Sequence, residues 1–434
     1  MSATPWLYAL GAVVLLLGLA VSIALHEVGH MYPAKKFGAK VTQYFVGFGR
    51  TLWSTRRGET EYGIKAFPLG GFVKIQGMLP PNPGDEPGVV RKSNTGMLTQ
   101  LAFDARSAEY EHVAPEDEPR LFYRLAWWKK AIVMAGGPVV NLVIAFVLFA
   151  AVFLTIGAST ATTTVDSVSD CAIPSSEAGR TCTDEDPVAP AKQAGLEPGD
   201  TITSFNGDEI SSWDELTRAI RANGDAPATI GYERDGTAQT VTVNTSVLAR
   251  TSLDDPDKTE NVGFLGVGPT QVYERQDLLF VASTMGDMTV QTVKAIGSLP
   301  EKMVEVTKAA FGAERGQDTP MSPVGASRVA GEITSSELTT VTDKVYSVTL
   351  MLASLNLFVG LFNLIPLLPL DGGHIAGALW EGIRNGWARL RRRPIPGPVD
   401  VATMLPVAYA VGAVLLVMGV ILVYVDIVNP VRLT

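Results

Sequence analysis

The chain has 434 residues, 47% of them apolar, a net charge of −9 and a mean hydropathy of +0.20. Only 18% of residues are charged, against roughly 25% in soluble domains. This balance argues against a soluble chain of two or three domains; nucleic acid is not among the expected partners.

Charge is absent from four long runs: Leu7–Leu25, Ala131–Thr164, Val345–Leu370 and Val401–Val425. Each meets the length of about 20 residues that carries a helix across a hydrocarbon core. The expected fold class is therefore membrane α-helical, with four transmembrane helices at 7–30, 127–157, 344–371 and 401–426. A cleavable signal peptide is the competing reading of the first run. Its start, MSATPW, has no basic residue, no Ala-x-Ala-like site follows, and His26–His30 interrupts its end.

Between the first two spans, Tyr44–Met78 alternates apolar and polar residues and is broken by Gly and Pro, which predicts β-hairpins over 31–78. Their apolar content places them against the membrane. A Pro-rich and then polar stretch, 79–126, reads as a mobile linker. After the second span comes a loop, 158–189, followed by a compact α+β module over 190–250. In that module a Gly195–Asp200 turn leads to a strand ending at Asn206-Gly207. An amphipathic helix near Ser212–Ala222 and strands at 228–233 and 240–247 complete it. Residues 251–343 read as a partly helical connector, and 372–400 as a basic loop.

Orientation follows from Lys and Arg placement. Residues 31–130 carry 15 basic and 10 acidic side chains, whereas 158–344 carry 14 and 29. Together with the run Arg391-Arg392-Arg393, this puts 31–130 and 372–400 in the cytoplasm, and the acidic segment and both termini outside. Cys171 and Cys182 both fall outside, where a disulfide can form; two free thiols are the alternative.

His26-Glu27-Val28-Gly29-His30 ends the first span. On a helix, residues i and i+4 share a face, so both imidazoles can reach one Zn²⁺. Glu27 can then act as general base on a water whose pKa the ion brings to about 7. Ionisable groups at membrane depth are costly and point to function; a snorkelling interfacial cluster explains one of them but not three at this spacing. A catalytic zinc needs a third protein ligand. Asp371, at the cytoplasmic end of the third span, reaches the depth of His26 and His30. His374 competes for the role from three residues further on, and His112 lies in the linker. Asn363, one and a half turns before Pro369, either holds substrate backbone or an oxyanion near the metal, or bonds helix to helix. Asn141 poses the same alternative.

Taken together, these motifs resemble the site-2 protease family of intramembrane zinc metalloproteases. The resemblance rests on His-Glu-x-x-His at 26–30, Gly-Pro-x-x-Asn at 137–141 and Asn-x-x-Pro-x-x-Pro-x-Asp-Gly at 363–372. Pro68–Val73 resembles that family's membrane-associated β-hairpin loop, and 195–207 a PDZ domain. The chain looks closest to the bacterial, actinobacterial-type branch with one extracytoplasmic PDZ domain. Many relatives separate the two prolines by one residue; here Leu367 and Leu368 both stand between them. The resemblance implies one zinc ion held by His26, His30 and Asp371, with Glu27 as catalytic base. Asn363, Asn141, Gly70, Gly71 and Phe72 are the expected substrate contacts, the two Asn with helix–helix bonding as their alternative. The substrates implied are single-span proteins of the bacterial plasma membrane, such as anti-sigma factors, cut within the lipid bilayer after an upstream protease has made an extracytoplasmic cut.

Three other classes compete. A membrane-anchored zinc protease of soluble peptides would take a Glu as third ligand. A non-catalytic PDZ scaffold has no use for His26, Glu27, His30 and Asp371 together. A transporter would have paired half-sequences, which the chain lacks.

Overall fold

The computed structural model describes residues 5–81, 97–110, 113–174, 180–253, 258–313, 315–316, 319–336 and 339–431. It divides into two compact units, 1–154 with 277–433, and 155–276.

The first unit opens with α1 (Pro5–Lys36), which ends on Lys35 and Lys36, two residues before a left-handed Gly38. Next come β1 (Val41–Arg57) and β2 (Thr60–Ile75), joined by a tight turn in which Gly58 has φ +62° and Arg57 pairs with Thr60. The register places Phe45 opposite Phe72 on one side and Gly63 on the other, so both edges of the first part of β1 are paired. Helix α2 (Met97–Tyr110) follows, then α3 (Trp127–Thr155). The expected linker is thus in part a folded helix. Arg106 of α2 pairs with Asp400 and donates to the Pro80 carbonyl at 3.0 Å, and Tyr110 donates to the Leu79 carbonyl at 3.0 Å. These contacts join segments far apart in sequence, which a local polarity pattern does not encode. His112 lies outside the described residues.

The second unit contains β3 (Ala158–Val168), α4 (Pro190–Gln193), β4 (Thr201–Phe205), β5 (Asp208–Glu209), α5 (Trp213–Asn223), β6 (Pro227–Arg234), β7 (Thr237–Asn244), β8 (Ser246–Thr251), β9 (Thr259–Phe264) and β10 (Val267–Glu274). One sheet runs β10-β3-β4-β6-β7, with β5 on β4; β8 and β9 form a separate hairpin. The unit is wider than 190–250, because β3 and β10 supply two of its strands. Asn206 (φ 52°) and Gly207 (φ 91°) make the expected β4–β5 turn, for which left-handed residues are required. Ser212 and Glu215 form a capping box on α5, whose Leu216 and Ile220 enter a core with Ile202, Phe205 and Ile230. Cys171 and Cys182 are joined as a disulfide.

The first unit resumes with α6 (Leu278–Ala310), α7 (Pro323–Ser335), α8 (Val341–Asn363), α9 (Asp371–Leu390) and α10 (Leu405–Val428). Four of the described helices are long and apolar enough to cross a membrane: α1, α3, α8, and α10 with the turn before it. Helix α7 packs along α1, where a Cβ at Gly11 would lie 2.1 Å from Thr334 Oγ1 and 2.5 Å from the Ala330 oxygen. Leu15 of α1 is buried there with Ala326, Ala330 and Val348. The third apolar helix ends at Asn363 rather than 371, and the expected basic loop 372–400 is largely α9. Pro366 and Pro369 stop α8, and Asp371 then begins a new helix.

Candidate metal centre and its cavity

The end of α1 places His26 and His30 one turn apart, with their Nε2 atoms 3.2 Å from each other. Asp371, the first residue of α9, puts Oδ2 3.3 Å from His26 Nε2 and 3.4 Å from His30 Nε2. Three donors at the corners of a tetrahedron around zinc, with bonds of about 2.0–2.1 Å, stand about 3.3 Å apart. The triangle therefore matches that ion's size as well as its ligand chemistry. Among the described residues these are the only three His, Cys, Asp or Glu side chains grouped closely enough to hold a metal. His30 Nδ1 lies 2.8 Å from the Val133 carbonyl oxygen. Only an Nδ1–H can satisfy that acceptor, which leaves the lone pair on Nε2, facing the other two donors. His26 Nδ1 is buried without a partner.

Glycines let the supporting helices come this close. A Cβ at Gly136 would stand 1.9 Å from the Gly29 oxygen, so α1 and α3 touch backbone to backbone. A Cβ at Gly137 would lie 2.3 Å from His30 Nε2 and 2.6 Å from His26 Nε2. On the Asp371 side, a Cβ at Gly372 would meet the Ile365 oxygen at 2.1 Å. The 364–370 loop thus folds directly onto the first turn of α9 and fixes where its leading carboxylate stands. The Leu368–Pro369 bond in that loop is cis.

Glu27 lies on the flank of α1 that meets β2. Its Cγ would be 3.0 Å from a Cβ at Gly71, and the Val73 amide lies within hydrogen-bonding reach of its carboxylate. Tyr44 of β1 donates to the Ala24 carbonyl at 2.9 Å and ties the strand pair to α1. The centre opens into a cavity of about 1080 Å³. All the site residues expected from sequence border it: the three donors, Glu27, Asn141, Asn363, Gly70, Gly71 and Phe72. His374 lines it too, but stands outside the donor triangle. Asn141 is buried with an unpartnered Oδ1; Asn363 is only half-buried.

Two lining residues went unnoticed in the sequence. Asn356 of α8 is 1% exposed; its Nδ2 donates to the Leu352 carbonyl at 2.8 Å and its Oδ1 has no partner. A lone amide in an apolar run was the available signal, the same one that marked Asn363. Glu109 comes from α2, reached across the expected linker, and accepts from the Met78 and Leu79 amides. Burial pushes its carboxyl above the usual range.

Comparison with known proteins bears on this centre. The sequence profile of peptidase family M50 matches residues 14–407. Zinc metalloprotease Rip1 of Mycobacterium tuberculosis is 36% identical over 443 residues, covering 98% of this chain and 99% of that protein. Zinc metalloprotease Rip1 of Mycolicibacterium smegmatis is 34% identical, with 98% of each chain covered. Metalloprotease MmpA of Caulobacter vibrioides is 27% identical, with 85% of this chain and 86% of that protein covered.

Proposed function

This chain belongs to peptidase family M50, the zinc-dependent site-2 proteases of membranes, and from that premise we propose that it cuts the transmembrane segments of single-span proteins. In this reading His26, His30 and Asp371 hold the zinc and Glu27 is the catalytic base. The observation that carries it is the donor triangle, 3.2–3.4 Å on each side, next to a glutamate and opening into one cavity. Zinc, when bound, polarises the scissile carbonyl and makes water a competent nucleophile at neutral pH. Glu27 accepts a proton as the water oxygen bonds to the carbonyl carbon, and returns it to the amide nitrogen as the C–N bond breaks. Asn141 and Asn363 orient the unwound segment. Gly70, Gly71 and Phe72 offer a strand edge to its backbone, the mode known as β-augmentation.

Residues 31–130 and 372–400 face the cytoplasm in this reading, and the termini and the 155–276 unit lie outside the plasma membrane. The charge asymmetry of these segments supports that orientation. The outer unit, with its α5 and antiparallel strands, acts as a PDZ domain that admits substrates after an upstream protease has trimmed them. Anti-sigma factors are the substrate class that the resemblance to this family implies, which would make this a step of regulated intramembrane proteolysis.

The test is Glu27→Gln, assayed for zinc content and for cleavage of a model transmembrane substrate. One zinc per chain with cleavage down by about 10²–10⁴-fold is expected. Cleavage at the unsubstituted rate would overturn the assignment of the base.

A further inference from the structure

Helix α9 has its apolar side turned outward. Leu379, Trp380, Ile383, Trp387 and Leu390 are 47–77% exposed. At 100° per residue they share one arc about 100° wide. The far side of the helix is buried and carries a charge: Glu381 is 7% exposed and holds Lys130 Nζ at 2.7 Å. Lys130 belongs to the first turn of α3, so α9 lies level with the end of an apolar span. It is not itself one of the helices apolar enough to cross.

Basic residues adjoin the exposed face. Arg389, Arg391, Arg392 and Arg393 stand within five positions, and the Arg391 guanidinium stacks on Trp387 at 4.4 Å. The same end of the helix bundle carries further aromatic–cation pairs, Lys129 over Trp128 at 5.6 Å and Lys36 over Tyr32 at 6.0 Å. Tryptophan beside lysine and arginine is the side-chain chemistry of the bilayer interface.

We propose that α9 lies in the plane of the membrane interface, its Leu379–Leu390 face sunk among acyl chains and its Arg389–Arg393 cluster bound to anionic phospholipid headgroups. An interfacial helix gains from apolar burial and from charge attraction together, and α9 supplies both from adjoining surfaces. Because α9 begins at Asp371, this docking also sets the height of that carboxylate. The effect on cleavage rests on the proposed role of Asp371; the docking does not.

Two measurements on the full chain in vesicles separate these claims. The only cysteines, Cys171 and Cys182, are disulfide-bonded, so a nitroxide on Ile383→Cys reports α9 alone. It should collide more often with oxygen than with a water-soluble nickel chelate. Ready access to the chelate, or broadening from a second nitroxide in a paired copy, would overturn the docking. Cleavage of a model transmembrane substrate is then compared in phosphatidylcholine with and without phosphatidylglycerol. Anionic lipid should raise the rate about threefold or more. Arg391→Gln/Arg392→Gln/Arg393→Gln should lose that gain, while the corresponding triple Lys variant keeps it. An equal gain in the Gln variant would overturn the headgroup contact. Absence of cleavage in every vesicle would count against the catalytic reading alone, with the nitroxide still deciding the docking.

Discussion

One added methyl group at Gly137 should disable the centre while leaving the fold intact. A Cβ there would stand 2.3 Å from His30 Nε2 and 2.6 Å from His26 Nε2, where carbon and nitrogen ordinarily keep about 3.4 Å or more. Either the imidazoles or α3 must give way by about 1 Å, a misplacement that costs about 100-fold in rate when it falls on catalytic groups. Zinc affinity should fall as well, because the methyl occupies space between the two donor nitrogens. Helix propensity works the other way: Ala is about 0.5–1 kcal/mol better than Gly in a helix interior. Global stability should therefore change little. The assay pairs zinc stoichiometry after dialysis with cleavage of a model transmembrane substrate and thermal unfolding in detergent. Gly386→Ala, whose Cβ would meet nothing within 4 Å, is the control and should behave as the unsubstituted chain. If Gly137→Ala retains one zinc and full cleavage, the two Nε2 atoms do not face the ion as argued.

Further expectations concern other parts of the molecule. Lys130→Met leaves Glu381 buried and unpaired and should destabilise by about 3–5 kcal/mol in thermal or denaturant unfolding; Lys130→Met/Glu381→Leu should regain most of that, and failure to regain it would mean the charges do more than pair. In the 155–276 unit, the Arg234 guanidinium at 2.7 Å holds the Asp200 carboxyl below its usual range. With the folded-state pKa below the unfolded one, the pair stabilises fully above about pH 4 and less as pH falls further. The melting transition of that unit in the full chain should drop over that acid range, and Asp200→Asn should flatten the dependence. Val73→Pro removes the amide that faces Glu27 and breaks the strand edge; cleavage should fall by about tenfold or more with zinc content unchanged. Unaltered cleavage at normal protein levels would rule out strand pairing of the substrate there.

The sequence by itself determined the membrane class and the pairing of two of the three members of the candidate donor triangle. Four charge-free runs are long enough to cross a bilayer, and His26 and His30 are brought together by the helical repeat alone, which needs no tertiary contact. The turn at Asn206-Gly207 and the capped helix after Ser212 were legible for the same reason: their signals are complete within a few residues. Asp371 could be ranked from depth and charge, but its approach to within 3.4 Å of both imidazoles depends on α9 starting at that residue and on Gly372 letting the 364–370 loop close over it. Reading 372–400 as a basic loop missed α9, because its apolar residues face outward and its charge pair inward, the reverse of a soluble helix. Asn356 carried the same local signal as Asn363, a lone amide in an apolar run, whereas Glu109 and the Arg106–Asp400 pair became visible only once distant segments were packed. Short-range periodicity carries no information about partners dozens or hundreds of residues away; close packing of α1, α3, α8 and the β1–β2 pair decides them.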